Sequence, residues 1–118
     1  MLRFSYKGDD WNAYIVPDDE SNEFLGKGTA AELDYMKKEV YFSENQTTIE
    51  IIRHELLHLS IAYQYVQDCN LKFKQAEELM AELFAYEGDK LVTLANDLLK
   101  GLNQLKYTDL EEIDLRVR

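Results

Sequence analysis

The chain contains one cysteine and two histidines in 118 residues, and its 23 acidic residues outnumber 13 basic ones for a net charge of -10. Each scarcity excludes something. A lone Cys69 cannot form an internal disulfide. No apolar stretch approaches the roughly 20 residues that a membrane-spanning helix needs. Lys37-Lys38 is the only adjacent basic pair, so no local cluster offsets an acidic surface that repels phosphate backbones and anionic headgroups. Nucleic acid and membrane surfaces are therefore not expected partners. The start, Met1-Leu2-Arg3-Phe4-Ser5, lacks the apolar run of a signal peptide. The expected compartment is the cytoplasm.

What remains is globular. The hydrophobic fraction is 46%, with 12% aromatics, spread evenly enough to build a core despite the charge. The length suits one domain over residues 1–118, with 1–45 mainly β and loops, 46–106 helical and 107–118 a tail left unassigned. Leu2 to Tyr6 and Trp11 to Val16 are short aromatic and β-branched runs joined through Lys7-Gly8-Asp9-Asp10, a predicted hairpin. Pro17 to Gly28 is loop-like. Thr29 to Asp34 and Glu39 to Ser43 flank Tyr35-Met36-Lys37-Lys38 as a second predicted hairpin, although Ala30-Ala31-Glu32-Leu33 also suits a helix.

Asn45, Thr47 or Thr48 can cap the first helix, and Thr47 with Glu50 has the form of a capping box. Ile52, Leu56, Leu59 and Tyr63 then recur at helical spacing. A break is expected around Asp68-Cys69-Asn70, a second helix from Phe73 to Tyr86, an end or kink at Gly88, and a third helix from Lys90 to Leu102. The fold class is α+β: a small N-terminal antiparallel sheet of about three or four strands, then a site-bearing helix and one or two further helices.

Both histidines lie in Ile52-Arg53-His54-Glu55-Leu56-Leu57-His58-Leu59-Ser60. Residues four apart on an α-helix differ by about 40° in direction, so His54 and His58 project from one face and can reach one metal ion. Glu55 adjoins that face, near enough to take a proton from a metal-activated water but displaced from ligation. This is the chemistry of HExxH, two neutral imidazole ligands and a general base on one rigid element. Chance would produce it in a chain this long on the order of a few times in a thousand. The competing reading is a solvent-facing polar stripe on an ordinary helix.

A catalytic zinc usually takes three protein ligands and leaves one position for water. The same helix does not supply the third, because Ile61 and Gln64 stand where a metzincin pattern needs Gly and then His or Asp. Twenty residues after His58, Glu78 and Glu82 lie four apart in Glu78-Leu79-Met80-Ala81-Glu82-Leu83-Phe84-Ala85. Glu78 would complete a His-His-Glu set, with Glu77, Glu87 and Asp68 as competitors. Glu82 could accept the free N-H of a ligating histidine and fix its tautomer. Cys69 is a poor ligand candidate, since a break between helices holds it badly. With no third histidine, a hydrogen-bond donor for the oxyanion would come from Tyr63, Tyr65, Tyr86 or Tyr107, and the sequence does not choose among them. Tyr41-Phe42-Ser43 could pair with an extended substrate if it were an edge strand beside the cleft.

These residues resemble the gluzincins, zinc peptidases with HExxH and a downstream glutamate, and within them the small ImmA/IrrE-like metallopeptidases of bacteria, phages and mobile elements. His54-Glu55-Leu56-Leu57-His58 looks like that family's HELGH, with Leu57 in place of glycine. Glu78 to Ala85 looks like its E-x-x-A-x-x-F-A stretch, and the likeness covers about Glu39 to Tyr86. The resemblance implies a minimal zincin-like fold, one Zn2+ held by His54, His58 and Glu78, and Glu55 as catalytic base. It also implies a protein or peptide substrate, such as a regulatory protein of a phage or mobile element. Two other uses fit the same residues: a non-catalytic zinc module that binds a partner, and a metal-free helical interaction domain.

Overall fold

The computed structural model describes residues 1–18, 25, 29–64 and 73–117, with side chains for all of these except 61–64, 73–87 and 117. Among these residues five strands, β1 (Leu2–Tyr6), β2 (Asp9–Val16), β3 (Ala31–Asp34), β4 (Glu39–Ser43) and β5 (Ile113–Asp114), accompany two α-helices, α1 (Ile49–Gln64) and α2 (Phe73–Tyr107). The fold is α+β as the sequence pattern implies: one sheet, with both helices contributing to a single core.

The first hairpin forms where expected. Lys7 and Gly8 take φ values of 48° and 86°, so the two-residue turn has positive φ at both positions and matches the twist of the strands it joins. The second hairpin also forms, and β3 is a strand despite its Ala-rich start because Ala31 and Leu33 pair opposite Phe42 and Val40 on the core side. Asp34 builds the turn: its Oδ1 accepts from the backbone N-H of Met36 at 3.1 Å and of Lys37 at 3.0 Å.

The sheet differs from the expectation of three or four antiparallel strands. Its order is β3-β4-β2-β1-β5, and two of its pairings are parallel, β2 with β4 and β1 with β5. Residues 17–30 separate β2 from β3 in the sequence, and the second hairpin pairs with β2 through β4. The fifth strand comes from the tail. Ile113 N-H donates to the Met1 carbonyl at 3.0 Å, and the Met1 ammonium donates to the Glu111 carbonyl at 2.9 Å. Arg116 then bridges Asp10 and Asp114 at 2.8 Å each, and its guanidinium holds the Asp114 carboxyl down at about 2. The placement also corrects Tyr41-Phe42-Ser43: β4 is interior, flanked by β3 and β2, and β3 is the edge.

Alternation decides the faces. Leu2, Phe4, Tyr6, Trp11, Ala13, Val40 and Phe42 are buried in the core, while Tyr14 and Tyr41, partners across β2 and β4, stack with ring centroids 5.3 Å apart and Tyr41 donates a hydrogen bond to Glu39. Ile52, Leu56 and Leu59 of α1 and Ala95, Leu98 and Leu102 of α2 close the core from the helical side.

The break and the separate third helix expected at Gly88 do not exist, for α2 runs unbroken through 35 residues. A glycine inside a helix costs about 1 kcal/mol relative to alanine, too little to stop a helix whose apolar stripe keeps its phase. Leu83 and Leu94 are eleven residues apart in sequence, about three helical turns. Among the described glycines the one with a steric role is Gly101, where a Cβ would lie 2.3 Å from Leu2 Cδ1 and force the buried Leu2 side chain to shift. The expected break near Cys69 lies outside the described residues.

The cap of α1 is Thr48, whose Oγ1 accepts from the Ile51 N-H at 3.3 Å. Thr47 instead turns back and donates to the Ser43 carbonyl at 2.7 Å, so the capping box with Glu50 is not made. Among the described residues no helix is long and apolar enough to cross a membrane.

Candidate metal centre

The two faces of α1 are divided by helical phase. Ile52, Leu56 and Leu59 are buried at 0%, 3% and 0% exposure, which leaves His54 and His58 on the solvent side and Glu55 half-buried between the two zones. Glu55 is turned toward the edge of the sheet, since α1 packs beside β3 and Glu55 senses the charge of Glu32 on that strand. A groove of about 440 Å³ opens there, lined by Thr29, Ala30, Ala31, Glu50, Ile51, His54 and Glu55. The small residues at the start of β3 keep it open.

The imidazoles converge. His54 Nε2 and His58 Nε2 are 3.1 Å apart, with the rings edge to face at 77°. Two nitrogens bound at 2.0–2.1 Å to one tetrahedral metal are separated by about 3.3–3.4 Å, so the pair fits a shared ion with a few tenths of an ångström of adjustment. The same separation lets one neutral ring donate to the other when the two share a proton. Burial pushes the Glu55 carboxyl above the ordinary glutamate value; the two histidines pull it down, and Glu32 pushes it up. A carboxylate of raised basicity beside two imidazoles is the kind of group that serves as a general base.

The other expected residues stand as follows. Glu78 and Glu82 are on α2 and Tyr63 and Tyr86 on α1 and α2 respectively, but their side chains lie outside the described residues. Tyr65 and Cys69 lie outside them altogether. Tyr107, the last residue of α2, is 81% exposed. Among the described residues no group of three or more His, Cys, Asp or Glu side chains is placed to hold a metal, so the third ligand rests on the spacing of Glu78.

One residue near the site was not singled out by spacing. Tyr35, in the turn between β3 and β4, donates from its hydroxyl to the His58 carbonyl at 3.4 Å. Its ring lies edge-on to Trp11 with centroids 6.3 Å apart. Burial first, and then the charge of Glu55, pushes its phenol above the ordinary value. Nothing in the local sequence marks it, because its proximity comes from the hairpin folding back along α1.

No protein-family model matches the chain, and searches of curated proteins and of solved structures find no match.

Proposed function

We propose that this protein is a zinc-dependent metallopeptidase of the gluzincin type, similar to the small ImmA/IrrE-like enzymes, acting in the cytoplasm on a protein or peptide substrate. The observation that carries this reading is the convergence of His54 and His58 Nε2 at 3.1 Å with Glu55 half-buried at the lip of a groove beside an edge strand. A polar stripe on an ordinary helix needs none of these three features.

His54 and His58 would hold the metal, with Glu78 as the third ligand and Glu82 fixing a histidine tautomer. Bound zinc supplies a Lewis acid that activates water for attack on a peptide carbonyl. Glu55 takes the proton of the attacking water on its carboxylate and returns it to the leaving amine. β3, at the edge of the sheet among the described residues, takes the place of the interior β4 as the strand that would offer backbone hydrogen bonds to an extended substrate. Thr29, Ala30 and Ala31 leave room for a substrate side chain beside His54 and Glu55.

The test is unbiased toward sequence. Zinc-loaded protein incubated with a proteome-derived peptide library, with new termini read by mass spectrometry, is expected to cleave a narrow set of extended peptides, and a chelator is expected to stop it. Cleavage that persists in excess chelator would assign the activity to something other than this centre.

A further inference from the structure

We propose that Tyr35 is a positioning residue of the metal centre: its hydroxyl ties the edge hairpin to the His58 turn, so that metal occupancy and the hairpin's grip on α1 reinforce each other. This rests on the metal-site reading above and adds a coupling between that site and the strand that borders its groove.

The hairpin tip is built to transmit a pull. Asp34 Oδ1 accepts two backbone N-H groups of the turn at 3.1 and 3.0 Å. Lys38 adopts φ 55°, its Nζ pairs with Asp9 at 3.3 Å, and its carbonyl accepts from the Asn12 N-H at 3.0 Å. Inside this frame Tyr35, 37% exposed, sets its ring edge-on to the buried Trp11, and its hydroxyl donates to the backbone carbonyl of a histidine placed to bind metal. The neighbouring Met36 is 95% exposed, so the two adjacent turn residues differ sharply in what they touch.

At 3.4 Å the bond to the His58 carbonyl is long, since O-H···O bonds in proteins cluster near 2.7–2.8 Å. Coordination through Nε2 fixes the His58 side chain and with it the turn of helix that carries the carbonyl, which lets this contact shorten and strengthen. Thermodynamic linkage makes the effect reciprocal: a hairpin held more firmly by the metal-bound turn must raise metal affinity by the same factor. A net hydrogen bond corresponds to a factor of about two to ten in an equilibrium constant.

The experiment compares Zn2+ affinity, by competition with a chromophoric chelator, for the wild type, Tyr35→Phe and Met36→Ala. It also follows amide hydrogen exchange over residues 31–43 with and without Zn2+. The expected result is one zinc per chain in all three, bound about two- to tenfold more weakly by Tyr35→Phe and normally by Met36→Ala. Zinc should slow exchange at the hairpin in the wild type and do so less in Tyr35→Phe. The wild-type exchange comparison needs no variant, so a hairpin indifferent to zinc overturns the coupling even where Tyr35→Phe fails to fold. Zinc bound equally by wild type and Tyr35→Phe, or hairpin exchange in the wild type indifferent to zinc, overturns the coupling and leaves the metal site standing. A wild type that binds no zinc overturns both.

Discussion

Replacing Glu55 with Gln is expected to reduce peptide hydrolysis by about 10²- to 10⁴-fold, the usual worth of a positioned general base, while zinc content stays at the wild-type level. The substitution keeps the size and shape of a side chain that is half-buried between the core face of α1 and the groove. It removes the charge and the ability to take up a proton. In the HExxH reading Glu55 is the base and not a ligand, and the convergence of the His54 and His58 nitrogens, 3.1 Å apart, does not run through its side chain. Burial is the leading cause of its raised basicity, and the amide, which carries no charge, is easier to bury. Turnover of a peptide identified from the library, measured beside metal stoichiometry, checks both halves. Activity within a few-fold of wild type would move the base elsewhere or reduce the centre to a non-catalytic zinc module.

The second large effect belongs to the opposite face of the same helix. Leu59→Ala is expected to destabilise the metal-free protein by about 2–5 kcal/mol, the range for a buried leucine cut to alanine. Leu59 is fully buried beside Ile52 and Leu56, in the core that also contains Leu98 and Leu102. A single domain has only about 5–15 kcal/mol of stability in all, so this one change removes a large share of it. Its neighbour His58 is exposed, and truncating an exposed side chain ordinarily moves stability by less than about 0.5 kcal/mol. Urea unfolding of Leu59→Ala and wild type in chelator measures the difference directly. A loss below 1 kcal/mol would mean that α1 is not packed as described.

How far these features can be read in the sequence depends on their range. Both hairpins were legible because their signals are local: Lys7-Gly8 carries the turn chemistry, and Asp34 offers a carboxylate two and three residues before the N-H groups it accepts. The helical phase of Ile52, Leu56 and Leu59 was equally local, and it fixed where His54 and His58 had to point. The parallel pairing of β2 with β4 was not legible, since it depends on where a hairpin lands after a long connection. Nor was β5, a two-residue strand held by a chain terminus and by Arg116 reaching Asp10 across 106 positions. Gly88 is misleading because its propensity cost is small and the apolar spacing continues through it in sequence, whereas Gly101, with no local signature, is the described glycine that Leu2 crowds. Tyr35 was missed for the reason β5 was: its contact with His58 spans 23 positions and follows from tertiary placement alone.

The most direct measurement is metal content by elemental analysis of the purified protein after reconstitution with Zn2+, beside His58→Ala and Glu78→Ala. The account predicts one zinc per wild-type chain and a lost or much weakened zinc in both variants, which would establish the His-His-Glu set. A wild-type chain that takes up no zinc would contradict it, leaving the paired imidazoles of α1 with a shared proton and no metal to hold.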